Sequence, residues 1–182
     1  KELGDLNGSI PCVWPVTDDI VMTTMPAIAI PPGIEGIVGI TELPDAGWVD
    51  RDAEAADRCG ADYLGFILHP RSPRFLPLAQ YEAMVSRLPE RRRVAVSVEP
   101  STEDLAAMAK AGFDFFQIHF SVGIDSKRLT EWAMITGRER LWLAPRLPPE
   151  ADISAEVLAS AETVLMDTFH ASGFGGSGLT GD

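Results

Sequence analysis

Gly-Ala-Asp-Tyr-Leu-Gly-Phe-Ile-Leu-His-Pro-Arg-Ser-Pro-Arg-Phe is the sequence of residues 60–75, and it carries the clearest fold signal in the chain. Its apolar run at 62–68 is typical of a strand buried on both faces, as parallel strands are. Residues 51–59 have helical spacing, and Gly60 holds the place of the glycine that ends a helix. A polar loop follows the strand. The pattern predicts a parallel α/β protein.

The same alternation continues in both directions along the chain. Apolar runs predict five further strands, at residues 36–41, 93–98, 113–119, 141–144 and 163–167. Helical spacing predicts helices between them, at residues 78–88, from Ser101 up to the closing Gly112, at 125–136 and at 154–161. Successive strands start about 20–30 residues apart, which is the spacing of βα units.

Parallel βα units build either a doubly wound sheet or a (β/α)8 barrel. The first strand is not followed by a Gly-x-Gly-x-x-Gly pattern or by an acidic residue about twenty positions later, which weakens a dinucleotide-binding interpretation. Six units are visible, whereas a full barrel has eight.

Composition and charge narrow the classes of partner. The 182 residues are 46% hydrophobic and 23% charged, as in an ordinary globular domain. The net charge of −12 disfavours nucleic acid and anionic membranes as partners. No apolar run approaches the roughly 20 residues of a membrane span. With only Cys12 and Cys59 and nothing resembling a secretion signal, we expect a cytoplasmic protein without a disulfide framework.

Residues 1–35 differ from the rest, and we interpret them as an N-terminal arm of unknown role. Their short apolar runs are interrupted by prolines, which suits edge strands or an irregular segment. The chain starts with Lys1 and stops at Asp182 in what reads as a continuing loop, so we expect a fragment of a longer reading frame.

Polar residues end several of the predicted strands, at the edge where parallel α/β folds bind ligands. They are His69, Arg71, Arg74, Gln117, His119, Arg146 and Asp167, with a glycine-rich loop at 173–178. Each residue type also has an ordinary structural role, since loop arginines are mostly solvated and glycine clusters are mostly turns. Their convergence on one face favours a small anionic substrate and a carboxylate acid, without naming the reaction.

Four motifs in order resemble phosphoribosylanthranilate isomerase, an enzyme family of tryptophan biosynthesis. Residues 60–75 resemble its second βα unit, and Val-Ala-Val-Ser-Val-Glu-Pro at 94–100 resembles its third strand. Phe-Gln-Ile-His at 116–119 resembles its Val-Gln-Leu-His signature. Leu-Met-Asp-Thr at 165–168 and Gly-Gly-Ser-Gly at 175–178 resemble its sixth strand and mobile loop.

The resemblance covers residues 36–182 and implies a (β/α)8 barrel truncated to about six units. It implies an Amadori rearrangement of N-(5-phosphoribosyl)anthranilate, a small anionic phosphosugar, with no metal and no cofactor. That chemistry needs a general acid to protonate the ribose ring oxygen and a general base to remove the C2′ proton.

The same resemblance implies roles for individual residues. Asp167 is implied as the general acid, which requires burial or a neighbouring anion to raise its pKa. Arg74 is implied to contact the anthranilate carboxylate, and His119 is implied to line the same pocket. The loop residues implied to close over the substrate are Gly175, Gly176 and Gly178.

Two departures from the family pattern predict weak or absent catalysis. The family's first strand reads Lys-Ile-Cys-Gly with the cysteine as general base, whereas residues 36–39 read Gly-Ile-Val-Gly. Val38 at the base position cannot accept a proton. The family's phosphate grip lies mainly after strands seven and eight, which this chain does not contain. Two explanations account for this N-terminal sequence. One is an error in the coding sequence before about residue 50, and the other is true divergence.

Three classes of function follow. The first is the isomerase, impaired at its base, and the second is a non-catalytic phosphosugar-binding or scaffolding barrel fragment. The third, another barrel enzyme acting on a phosphorylated sugar, is disfavoured by the motifs at 69–74 and 175–178. We also expect oligomerisation, because the unpaired strand edges of an open barrel promote association.

Overall fold

The computed structural model describes residues 37–40, 48–72, 74–148 and 151–165, in which six strands alternate with five α-helices. The elements are β1 (Ile37–Ile40), α1 (Trp48–Arg58), β2 (Tyr63–Ile67), α2 (Leu78–Met84), β3 (Arg92–Val98), α3 (Thr102–Lys110), β4 (Phe115–Ser121), α4 (Ser126–Thr136), β5 (Leu141–Arg146), α5 (Ala155–Ser160) and β6 (Thr163–Val164). A 3₁₀ turn at Val85–Arg87 follows α2. The arm predicted at 1–35 lies outside the described residues.

The six strands form one parallel sheet in which each strand pairs with its neighbour in the sequence, in the order β1-β2-β3-β4-β5-β6. A doubly wound sheet reverses its strand order at a switch point, and the described strands contain no reversal. Sequential order with alternating helices is the arrangement of a (β/α)8 barrel, so the predicted fold class is confirmed. Among the described strands, β1 and β6 each pair with only one neighbour. Oligomerisation through these two strand edges stays a prediction.

The sheet separates two apolar clusters because neighbouring residues of a strand point to opposite faces. The larger one, which we call the helix-side cluster, lies between the sheet and the helices. Its strand members include Leu64, Phe66, Ala95, Phe116, Ile118, Phe120, Leu141 and Leu143. The smaller one, which we call the inner cluster, lies on the other face and consists of Tyr63, Val94, Trp142, Ala144 and Leu165. Because the helices cover the opposite face, the inner face is the one that can hold a ligand.

Helix ends follow the sequence signals closely. Gly60 and Gly112 have φ values of +80° and +86°, the left-handed conformation that glycine adopts without strain. The Ser101 side chain accepts a hydrogen bond from the backbone N–H of Asp104 at 3.0 Å, which caps α3 as predicted.

Strand boundaries follow the sequence less closely, for physical reasons. β4 begins at Phe115 instead of 113, and Asp114 just before it contacts Arg93 twice: its carboxylate accepts the Arg93 N–H at 2.7 Å, and its own N–H donates to the Arg93 carbonyl at 2.9 Å. β5 continues through Pro145 to Arg146. There it pairs with β4 through Phe120↔Pro145 and Ser121↔Arg146.

Tyr81 on α2 makes the stability of the fold decrease at alkaline pH. Its ring is fully buried and stacks on Phe113 with centroids 4.0 Å apart. Burial raises the pKa of Tyr81 to about 12 from an unfolded value of 10.0, with the nearby Arg93 offsetting part of the rise. The neutral hydroxyl is favoured in the folded state, so its contribution to stability is complete below pH 10.0 and is lost as the pH rises towards about 12.

We therefore expect Tyr81→Phe to weaken the loss of stability above pH 10.0. Urea-unfolding midpoints of both proteins, measured on either side of that pH, test this. Any alkaline dependence that remains is common to both proteins. Identical pH dependences for the variant and the parent would contradict the assignment.

Candidate functional site

The loop after β2 brings Arg74 to the carboxyl edge of the sheet. Both ends of the loop are fixed, since Leu68 N–H donates to the Val96 carbonyl and Leu76 N–H donates to the Ile67 carbonyl, each at 2.8 Å. Inside the loop, the Arg74 N–H donates to Ser72 Oγ at 3.1 Å. The Arg74 backbone is thus held by a short local turn.

Three arginines lie at this edge, together with the Glu99 carboxylate, although the chain as a whole carries −12. Arg71 and Arg74 follow β2, and Arg146 ends β5. Partial burial lowers the pKa of Arg74, yet a guanidinium stays protonated at neutral pH. Burial and the charge of Arg71 lower the pKa of His69, which favours its neutral imidazole. The edge is suited to an anion.

β4 contributes a buried polar pair to the inner face. Gln117 and His119 are two residues apart and therefore point to the same side, with exposed fractions of 0% and 6%. Gln117 Nε2 lies 2.8 Å from His119 Nε2, within hydrogen-bond distance. His119 pairs in register with Val98 and Ala144, which places it near the carboxyl ends of β3 and β5.

Three aromatic rings lie next to this pair on the inner face; Tyr63 and Phe115 begin their strands, and Trp142 is in register with Gln117. We call them the aromatic floor. Tyr63 meets Phe115 and Trp142 edge-on, with centroids 5.5 Å and 5.2 Å apart, and Phe115 stacks on Trp142 at 4.9 Å. Arg92 donates to the Tyr63 hydroxyl at 2.7 Å. The floor gives the inner face an apolar base and leaves the polar groups at the carboxyl edge.

Glu99 fixes the rim beside His119. It follows β3 with φ of +43°, a left-handed conformation that costs a non-glycine residue about 1–2 kcal/mol. Its N–H donates to the His119 carbonyl at 2.9 Å, and its Oε1 accepts the Ser121 N–H at 2.9 Å. Arg128 on α4 donates to the Glu99 carbonyl at 3.0 Å. These contacts hold the strained residue and the end of β4 together.

Two of the predicted site residues, Arg74 and His119, are described, and both lie at the carboxyl edge of the sheet. Their strands, β2 and β4, are separated only by β3, or about 10 Å at the usual strand spacing. Asp167, Gly175, Gly176 and Gly178 lie outside the described residues, so their roles stay predictions.

The predicted base position falls on β1, where the backbone register is described. Val38 pairs with Leu64, a member of the helix-side cluster, and Ile37 pairs with Tyr63 of the inner cluster. Partners in a parallel pair share a face. The register therefore places residue 37 on the inner face, whereas the family resemblance assigns the base to residue 38.

Sequence reasoning missed the contact between Gln117 and His119, the aromatic floor and the conformation of Glu99. Alternation along β4 could have shown that 115, 117 and 119 share a face. Nothing in the sequence marks Glu99, because left-handed residues are usually glycine or asparagine.

Neither a metal-binding cluster nor a membrane-spanning helix is present among the described residues. No three His, Cys, Asp or Glu side chains among them lie close enough together to bind a metal ion. None of the helices described has the length and apolar character that crossing a membrane requires.

Comparison with known proteins shows which enzymes the chain is similar to. No protein-family model matches the chain. It is 31% identical over 144 residues to N-(5'-phosphoribosyl)anthranilate isomerase of Sulfurihydrogenibium sp. (strain YO3AOP1), covering 78% of this chain and 64% of that protein. The same enzyme of Aquifex aeolicus (strain VF5) is 30% identical over 147 residues, covering 79% and 65%. The chain is thus similar to phosphoribosylanthranilate isomerases, and the comparison supports a divergent member of that family.

The chain spans slightly less than two thirds of the length of these phosphoribosylanthranilate isomerases. Its structure resembles the crystal structure of TrpF from Jonesia denitrificans, with a TM-score of 0.54 and 20% identity over 71% of this chain and 58% of that one. At that identity the likeness supports the fold alone, and it agrees with the barrel-type order of the six strands.

Proposed function

We propose that the protein is a phosphoribosylanthranilate isomerase whose proton-abstraction step is weakened. In this proposal it opens the ribose ring of N-(5-phosphoribosyl)anthranilate and rearranges it to the ketose. The proposal rests on the similarity to this enzyme family and on one structural observation, the buried Gln117–His119 pair between an apolar floor and an arginine-bearing edge.

The arrangement suits a substrate with anionic groups and an apolar ring. Arg74 and Arg146 supply positive charge at the edge, and a guanidinium binds a carboxylate through two parallel hydrogen bonds. The aromatic floor offers apolar contact below them. His119 lies between these two regions along β4, where it can contact the substrate.

Two proton transfers are required. Asp167, as its carboxylic acid, gives a proton to the ribose ring oxygen; the C1′–O bond breaks, and the anthranilate nitrogen's lone pair forms the C1′ iminium ion. A base then takes the C2′ proton, the electron pair of that C–H bond forms an enamine, and tautomerisation gives the ketone. Val38 at the family's base position cannot take this proton.

A second function, binding of the phosphosugar without turnover, is favoured by that same valine. Arg74 and His119 would still bind the substrate in this case, and only the C2′ proton transfer would be absent. The two functions differ in whether bound substrate is consumed.

Arg74→Leu in the full-length protein tests substrate binding, which the two functions have in common. Loss of hydrogen bonds to a charged group costs about 1.5–3 kcal/mol, so we expect substrate affinity to fall about tenfold to a hundredfold. The dissociation constant is measured by titration calorimetry, and turnover by the decay of anthranilate fluorescence. Arg74→Lys should recover part of the affinity, because a lysine keeps the charge without the planar fork.

Arg58→Leu is the matched control, because this exposed arginine in the last turn of α1 lies at the opposite end of the sheet. An unchanged affinity in Arg74→Leu would contradict the site. Binding that depends on Arg74 with turnover no faster than the spontaneous reaction would favour the non-catalytic function.

A further inference from the structure

The chemistry of the Gln117–His119 contact restricts what His119 can do. Gln117 faces the ring with its amide nitrogen, which is a donor only, at 2.8 Å from Nε2. Nε2 must then accept, so the neutral ring carries its proton on Nδ1. In this tautomer the Nε2 lone pair is engaged by the Gln117 amide, and Nδ1–H is the ring's donor.

The position of Gln117 is unusual for a residue needed only for packing. Its register partners on β3 and β5 are Val96 and Trp142, and its side chain is fully buried beside the inner cluster. An amide costs free energy in apolar surroundings unless it is hydrogen-bonded, whereas leucine or methionine would fill a similar volume without that cost. Its amide nitrogen lies within hydrogen-bond distance of the ring two residues away.

We propose that Gln117 is a positioning residue that fixes His119 as a hydrogen-bond donor to an anionic group of the substrate. The inference rests on the proposed function for the identity of the substrate. The contact itself does not depend on it. The proposal also gives His119 a defined role, binding, and leaves both proton transfers to other groups.

The tautomer can be measured directly by NMR on protein labelled with ¹⁵N-histidine, at a pH above the ordinary imidazole pKa so that the ring is neutral. In the wild-type protein we expect the pyridine-like signal at Nε2 and the pyrrole-like signal at Nδ1. Gln117→Met removes the donor and should give averaged signals from both tautomers. Gln117→Glu reverses the sense of the contact, because a carboxylate accepts, and should place a proton on Nε2.

Internal and external controls separate this effect from altered folding. His69 and His170, the other two histidines, should keep their signals in each variant. Gln80→Leu on α2 removes a glutamine elsewhere and should leave His119 unchanged. If Gln117→Met does not fold, the reversal in Gln117→Glu still tests the proposal.

Activity of the full-length protein supplies the second readout. Gln117→Met should raise KM on the order of tenfold, as for one lost hydrogen bond to a charged group, with a smaller change in kcat. A protonated Nε2 in the wild-type protein, or signals of His119 unaltered in Gln117→Met and Gln117→Glu, would overturn the positioning role. The expected tautomers in a protein that neither binds nor converts the phosphosugar would leave the positioning role standing and reject the proposed function.

Discussion

Val38→Cys in the full-length protein is expected to raise the turnover of phosphoribosylanthranilate by about 10²–10⁴-fold, the usual contribution of a positioned general base. Cysteine and valine are similar in bulk and both are common in protein interiors, so the change tests chemistry more than packing. The decay of anthranilate fluorescence measures the rate. Adding Asp167→Asn should abolish the gain, because an amide cannot donate the proton that opens the ring.

Ile37→Cys is the matched control, because adjacent residues of a strand point to opposite faces and only one of the two thiols can reach the substrate. The resemblance to the family selects residue 38, and the register of β1 with β2 selects residue 37. A gain at residue 37 alone would keep the isomerase and move the base by one position. No gain at either position would favour binding without turnover.

Trp132→Ala is expected to lower the free energy of unfolding by about 3–5 kcal/mol, the range for removing a large buried aromatic side chain. The indole on α4 is fully buried and meets Phe120 edge-on with centroids 5.9 Å apart. Its Nε1–H donates to the Pro100 carbonyl at 3.2 Å, and the Arg128 guanidinium lies 5.5 Å from its centroid. The residue thus connects α4 to the loop after β3.

Urea unfolding measures this loss, with two comparisons. Trp132→Phe keeps an aromatic ring but removes the hydrogen bond, and should cost less than the alanine variant. Met134→Ala, two residues away and 81% exposed, should change stability by less than about 0.5 kcal/mol. A loss in Trp132→Ala no larger than that of Met134→Ala would contradict this account.

Most of the fold could be predicted from the sequence because its signals are local. Glycines at 60 and 112 end helices through their own backbone freedom, and Ser101 caps α3 through a hydrogen bond to a residue three positions away. Apolar runs located all six strands. The boundaries of β4 and β5 were predicted less accurately, because a strand end depends on pairing with residues distant in sequence, such as Val94 with Phe115 and Ser121 with Arg146.

The candidate site was predictable only in part. Motifs and strand ends selected Arg74 and His119, since a residue type at a strand end is visible in a sequence. The contact between Gln117 and His119 depends on side-chain rotamers, and the aromatic floor on the register of β2, β4 and β5; a sequence shows neither. The conformation of Glu99 is held by Ser121 and Arg128, which are 22 and 29 residues away.

The two faces of β4 have a consequence for how such a chain evolves. Its residues 116, 118 and 120 belong to the helix-side cluster, while 117 and 119 hold the polar pair on the other face. Selection for folding therefore acts on alternate positions, and selection for chemistry acts on those between. Mutational drift at the second set can change or silence an activity while the first set preserves the barrel architecture. A family lineage can thus retain its architecture long after its chemistry has diverged. The two kinds of change fall on alternating positions of a single strand.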